Sequence, residues 1–168
     1  VPAIIAVLIV YFWQGLGHFV MYMMEHSWFK EGVLQAAVVI GFVGAVMIYV
    51  GRNKSENVAT LLGFAGGSLV WLSWIEFSFV WVADDLGVQE ALWGAKPTLP
   101  EYRVMLSSTG VMFASLLFFF YNKETRCNAF MWLHRVFRMD IGEKNSALSR
   151  NIASIVAMET IYVTWFFY

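Results

Sequence analysis

The chain has 168 residues, of which 60% are hydrophobic and 14% are charged. This apolar share is far above the roughly 45–50% of soluble domains, so a soluble fold would expose much apolar surface and an integral membrane protein is expected. The formal net charge of −1 does not favour nucleic acid as a partner. The single cysteine, Cys127, excludes an internal disulfide framework and a CxxC metal or redox motif.

Long apolar runs predict about five transmembrane helices, at 3–24, 33–50, 58–83, 104–121 and 152–168. A helix rises about 1.5 Å per residue, so runs of this kind can cross a hydrocarbon core about 30 Å thick. Between the fourth and fifth runs, apolar residues lie on one face and arginines can reach the other, which predicts an amphipathic interfacial helix at about 126–139. The predicted fold class is therefore an all-α integral membrane bundle forming a single transmembrane domain, 1–168.

The distribution of lysine and arginine predicts how the bundle is oriented. Residues 51–57 carry Arg52 and Lys54, and residues 122–150 carry six basic residues. The other two connections carry Lys30 alone, and Lys96 with Arg103. Basic loops favour the cytoplasmic side, and with five spans these two loops fall on the same side. The amino end is therefore predicted inside and the carboxyl end outside.

Small residues recur at helical spacing in two of the predicted spans. Ala37, Gly41 and Ala45 repeat every four residues in the second span, and Gly63 and Gly67 do so in the third. Small side chains let membrane helices approach closely. These positions therefore predict two close-packing seams.

Ionisable residues are predicted to converge near the outer face, because the first and third spans run in the same direction. These residues are His18, Glu25, His26, Glu76, Asp84 and Asp85. Imidazole and carboxylate ligands suit a divalent metal, and the nearby Met21, Met23 and Met24 favour copper over zinc because thioether is a soft ligand. The cluster is interpreted as a candidate metal site with copper or zinc as the cofactor.

Other interpretations of the same residues stay open. His18 and Glu76 can hydrogen-bond one another across a helix interface, or Glu76 and Glu159 can form a proton or ion path. The aromatic residues near Glu76, namely Trp74, Phe77, Phe79 and Trp81, can pack the bundle or line a hydrophobic ligand. Bis-histidine haem is disfavoured, because His18 is the only histidine inside a predicted span.

The predicted interfacial helix carries residues suited to contact with lipid headgroups or a partner subunit, namely Arg126, His134, Arg135 and Arg138. Nucleophilic catalysis has no support in the sequence. It contains no GxSxG elbow, no Walker motif and no Gly-rich phosphate loop.

Residues 82–102 read VADDLGVQEALWGAKPTLPEY. Through VAD and PTLPxY, this segment is similar to an extramembrane loop in the A subunit of the copper-dependent ammonia and methane monooxygenases. The similarity covers a small part of the chain, which has fewer predicted spans than that family. It assigns no site residue.

Three functions are compatible with these features. The first is a small integral subunit of a larger membrane complex, surrounded by lipid and other membrane subunits and contributing a polar or metal-binding site near the outer face. The second is a proton- or ion-coupled transporter or channel that uses the intramembrane carboxylates. The third is a metal-holding subunit of a membrane oxidoreductase. Small extramembrane loops and the lack of a complete catalytic motif favour the first.

Overall fold

A computed structural model describes residues 12–13, 15–17, 19–20, 22–23, 32–93, 96–121, 128–139 and 151–168. Of these residues, 84% are helical, which confirms the predicted helical class. The predictions made for His18, Glu25, His26 and Arg126 lie outside the described residues.

Five helices and one small hairpin follow one another along the described part of the chain after residue 31. The helices are α1 (Val33–Gly51), α2 (Glu56–Asp85), α3 (Pro100–Tyr121), α4 (Asn128–Val136) and α5 (Ile152–Phe167). Between α2 and α3, β1 (Ala91–Trp93) pairs with β2 (Lys96–Thr98) in an antiparallel hairpin in which Leu92 lies opposite Pro97. The described residues between 12 and 23 are helical and precede α1.

Two of the described helices, α1 and α2, are long and apolar enough to cross a membrane. They contain the predicted spans 33–50 and 58–83. The helix α3 begins at Pro100, four residues before the predicted span at 104–121. Proline suits the first position of a helix because its missing N–H would have no intrahelical partner there. In the 84–103 connection, Pro97 therefore lies in the hairpin and Pro100 begins α3.

The helix α2 is packed tightly against α1 and α5 through small residues. A Cβ built on Gly44 would lie 2.7 Å from the carbonyl oxygen of Gly66, and one built on Gly63 would lie 2.4 Å from the carbonyl oxygen of Ala153. Gly67 meets the backbone of Ala157 in the same way. The seam predicted on α2 is therefore the place where α5 approaches.

The seam predicted on α1 differs by one residue from the observed one. Ala37 and Gly41 are buried, but Gly44 is buried rather than Ala45. Because an α-helix has 3.6 residues per turn, residues on one face are separated by either three or four positions. The buried face of α1 therefore continues from Gly41 to Gly44, three residues on, rather than to Ala45.

Contacts along α2 establish the relative directions of its neighbours. Gly63 and Gly67 meet Ala153 and Ala157 in the same order, so α5 runs parallel to α2. Gly44 meets Gly66 and Gly51 lies against Leu62, so α1 runs antiparallel. The ring of Trp13 lies 5.4 Å from that of Phe64, and a Cβ on Gly17 would lie 3.4 Å from Leu72. The described helical residues near the amino end therefore run parallel to α2.

Candidate functional site

A carboxylate is buried in the second half of α2. Glu76 is 5% exposed, and it closes a π-helical turn, Trp71–Glu76, that interrupts the α-helical hydrogen bonding. Such turns are rare and occur frequently at functional sites. The sequence singles out Glu76 as an ionisable group in an apolar run, and the structure places it inside the bundle.

The π-helical turn pairs Glu76 with Trp71. The indole Nε1–H of Trp71 donates a hydrogen bond to Oε2 of Glu76 at 3.2 Å, and Trp71 is itself 2% exposed. In an α-helix, residues five apart point about 140° away from each other. The wider π-helical turn brings them toward one face, so the backbone irregularity makes the pair possible.

Serine hydroxyls bond to the backbone just before and within this turn. The Ser68 hydroxyl donates to the carbonyl oxygen of Phe64 at 2.8 Å, and the Ser73 hydroxyl donates to that of Leu69 at 2.5 Å. Hydroxyls that bond back in this way bend helices and weaken the regular ladder. These two serines are the residues in the sequence that come closest to indicating an irregular helix here, although serine alone does not predict a π-helical turn.

The rings around the Trp71–Glu76 pair come mainly from other helices. Ring centroids lie 6.2 Å apart for Trp71 and Trp165, 5.8 Å for Trp71 and Tyr168, and 5.2 Å for Tyr168 and Tyr102. Tyr162 stacks on Trp165 at 6.3 Å. We call these five rings, Trp71, Tyr102, Tyr162, Trp165 and Tyr168, the aromatic chain.

The aromatic residues predicted around Glu76 lie on α2 itself, and three of them have different surroundings. Trp74 packs against α1, where its Nε1–H donates a hydrogen bond to the carbonyl oxygen of Val38 at 3.2 Å. Gly41 makes room for that indole, since a Cβ there would overlap the ring. Phe77 is buried against Ala37, and Trp81 is exposed. Neighbours in sequence thus point to several faces of α2, whereas rings from α3 and α5 complete the site.

The phenol of Tyr102 responds to this environment. Tyr102 lies in the first turn of α3, before the predicted span. Burial raises the pKa of its phenol above the ordinary value, and the carboxylates of Glu101 and Glu76 raise it further. The contribution of Glu76 indicates that Tyr102, at the start of α3, lies within electrostatic range of this side chain of α2.

The predicted metal cluster is described only in part. Asp84 and Asp85 are exposed at the end of α2, about 12 Å along the helix axis from the buried Glu76. Among the described residues, no group of three or more His, Cys, Asp or Glu side chains is placed to hold a metal. The metal site stays a prediction whose remaining ligands, His18, Glu25 and His26, lie outside those residues.

Glu159 is half-buried on α5 and lies closer than Glu76 to the amino-terminal end of α2. Because Ala157 lies against Gly67 and the two helices are parallel, Glu159 is level with a position about seven residues before Glu76. This separation is roughly 10 Å along the axis. A proton path between the two carboxylates would therefore need groups that bridge them.

His134, predicted at a lipid or partner surface, faces the interior in the structure. It is 2% exposed, its ring packs on Phe120, and its Nε2–H donates to the Phe120 carbonyl oxygen. Carbonyls in the last turn of a helix lack intrahelical donors, and this imidazole supplies one to α3. Arg135 and Arg138 are exposed, as their predicted contact with headgroups or a partner requires.

The described residues form a helical structure in which two helices are long and apolar enough to cross a membrane and α2 holds a buried carboxylate–indole pair. No family model, curated protein or solved structure matches the chain. Its function is therefore inferred from its own residues.

Proposed function

We propose that the chain is a five-span integral subunit of a larger membrane complex, with its amino end inside and its carboxyl end outside. The parallel and antiparallel directions of α1, α2 and α5 support this topology. Large apolar side chains are exposed along α1, including Val39, Phe42 and Val46. Such side chains are stable against lipid or against apolar helices of other subunits.

An open face on α3 carries the proposal of a partner subunit. Ser107, Gly110 and Ala114 lie along this face and are exposed. A Cβ built on Gly110 would meet no described atom within 4 Å, whereas one built on Gly63 would overlap the backbone of α5. Small residues at such spacing let a second membrane helix approach closely. The open face of α3 therefore presents small residues as the close-packing seam of α2 does, but no described helix packs on it.

Gly110→Leu is expected to release the chain from its complex, because the larger side chain fills the face on which the partner helix packs. The measurement is the migration of the tagged chain on native gels after gentle solubilisation of its own membrane. Thr109→Leu is the matched control, since Thr109 is exposed on the same helix but points about 100° away.

Three outcomes count against the proposal. Migration of the unmodified chain as a monomer would argue against a subunit. An unchanged complex in Gly110→Leu would remove the open face of α3 as the interface. Loss of the complex in both variants would show that any leucine in this turn is disruptive, and the partner contact would then need another location.

The two ends of α2 are expected on opposite sides of the membrane. This helix has 30 residues and is therefore about 45 Å long, more than a hydrocarbon core of about 30 Å. Lys54→Cys and Gln89→Cys, each in a Cys127→Ser background, place one thiol beyond each end. In intact cells, a membrane-impermeant maleimide should label position 89, and should label position 54 only after lysis. Equal labelling of both positions in intact cells is incompatible with a spanning α2.

A further inference from the structure

The exposed side of α4 combines large apolar side chains with arginines. Trp132, Arg135 and Val136 are three or four residues apart, so they share one face of the helix, and all three are exposed. Phe137 and Arg138 follow the last turn of α4 and are exposed as well. We call these five residues the α4 surface. Among the described contacts, neither of its guanidinium groups is paired with a carboxylate.

His134 fixes the direction and the depth of the α4 surface. It lies about 160° around the helix from Trp132, and its Nε2–H donates to the carbonyl oxygen of Phe120, so the α4 surface points away from α3. Phe120 is the last residue but one of α3, which has 22 residues and is about 33 Å long. In the proposed topology this end of α3 lies at the cytoplasmic boundary of the membrane. The helix α4 therefore lies at the level of the lipid headgroups.

The backbone at the end of α4 suits glycine better than arginine. The N–H of Arg138 donates to the carbonyl oxygen of Arg135 at 3.2 Å, and the N–H of Met139 donates to that of His134 at 2.8 Å. These bonds form the Schellman motif, whose left-handed position is usually glycine. Arg138 occupies it with a φ of 52°, which costs free energy for a residue that has a Cβ. Since no described contact of this guanidinium offsets the cost, a partner outside the chain is indicated.

We propose that the α4 surface binds the phosphate groups of anionic lipids in the cytoplasmic leaflet. Arg135 and Arg138 contact the phosphates, because a guanidinium group can donate two parallel hydrogen bonds to one phosphate. Trp132 lies in the interface, where tryptophan is enriched in membrane proteins. Exposed apolar side chains beside unpaired arginines, at the end of a span, favour lipid over a protein partner. The depth of α4 rests on the proposed function, since it follows from the five-span topology.

The experiment measures which lipid gathers beside α4 around the purified full chain. Val136→Cys in a Cys127→Ser background carries a nitrobenzoxadiazole fluorophore, because Val136 is exposed on the α4 surface. The chain is reconstituted in phosphatidylcholine vesicles that contain a minor fraction of nitroxide-labelled phosphatidylglycerol. A parallel sample contains nitroxide-labelled phosphatidylcholine instead. Nitroxides quench the fluorophore at short range, so the ratio of the two quenching efficiencies reports the local enrichment of the anionic lipid.

Anionic lipid is expected to be enriched beside the unmodified surface, and added salt should reduce the enrichment. Arg138→Gly should lower it about fivefold, the contribution of one arginine near an anionic surface. The thermal unfolding midpoint of Arg138→Gly should not decrease, because glycine suits this backbone. Arg135→Gln should lower the enrichment by a similar factor. Arg103→Gln is the matched control and should leave it unchanged, because Arg103 is exposed at the opposite end of α3.

Several results would overturn the lipid site. They are equal quenching by the two lipids, an undiminished ratio in Arg138→Gly, or an equal loss in Arg103→Gln. Quenching by neither lipid would place α4 away from the membrane and favour a protein partner. Loss of the enrichment on adding inorganic phosphate at constant ionic strength would make free phosphate the ligand. Because no partner subunit is present, each of these failures leaves the membrane-complex proposal intact, and a monomer on native gels would leave the lipid result intact.

Discussion

Gly63→Ala is expected to destabilise the folded chain by about 1–3 kcal/mol, the usual cost of overpacking a close contact. The added Cβ would lie 2.4 Å from the Ala153 carbonyl oxygen and 3.0 Å from its Cα. Both are backbone atoms of α5, so no side-chain rotation relieves the overlap and the two helices must move apart. Membrane helices are held together mainly by van der Waals packing, which this movement weakens.

Helix propensity works in the opposite direction, which makes the sign of the effect informative. Alanine favours a helix over glycine by about 1 kcal/mol, so an uncrowded site should not lose stability. Gly110→Ala provides that control, because its Cβ would meet no described atom within 4 Å. Thermal unfolding in detergent should therefore show a lower midpoint for Gly63→Ala and an unchanged or higher midpoint for Gly110→Ala. Equal midpoints would mean that α5 does not pack on α2 as described.

The helical class and a close-packing seam on α2 could be predicted from local patterns, whereas the identity of α5 as the helix packed there could not. Long apolar runs indicate helices through their length and composition, and Gly63 with Gly67 indicates a seam through spacing alone. These features depend on residues close together in the chain. They do not require knowledge of which helix is the partner.

The surroundings of Glu76 depend on distant residues and on an irregular backbone. A regular α-helix turns Trp71 away from Glu76, so the pair cannot be predicted without the π-helical turn. Tyr102, Trp165 and Tyr168 reach the site from α3 and α5. The sequence therefore singles out the carboxylate, which the structure buries, but it does not indicate Trp71 or the rings that reach the pair from α3 and α5.

The position of His134 illustrates the same limit on an amphipathic helix. Its neighbours Arg135 and Arg138 made a surface position plausible for the whole segment. The side of α4 that faces the end of α3 is decided by tertiary packing, and a carbonyl there accepts the imidazole hydrogen bond. A short helix of mixed character thus leaves the direction of each polar side chain undetermined until its partner is known.

Trp71→Ala is expected to have the larger effect on stability, about 3–5 kcal/mol, as for other buried aromatic residues replaced by alanine. Trp71 is 2% exposed and packs against the rings of Trp165 and Tyr168. Its removal leaves a cavity whose lining loses van der Waals contacts. It also takes an indole donor away from the buried Glu76 side chain, and weakening a hydrogen bond to a buried acceptor adds to the cost.

Trp81→Ala is the matched control for this prediction. Trp81 lies on the same helix but is 46% exposed, so its loss should change stability by no more than about 0.5 kcal/mol, as for ordinary surface substitutions. Unfolding of both variants in the same detergent gives the comparison directly. Trp71→Phe should fall between them, because it keeps a ring in the cavity but removes the N–H donor. A Trp71→Ala variant as stable as Trp81→Ala would show that the indole does not hold α2 and α5 together, because its ring would then be replaceable without loss of packing.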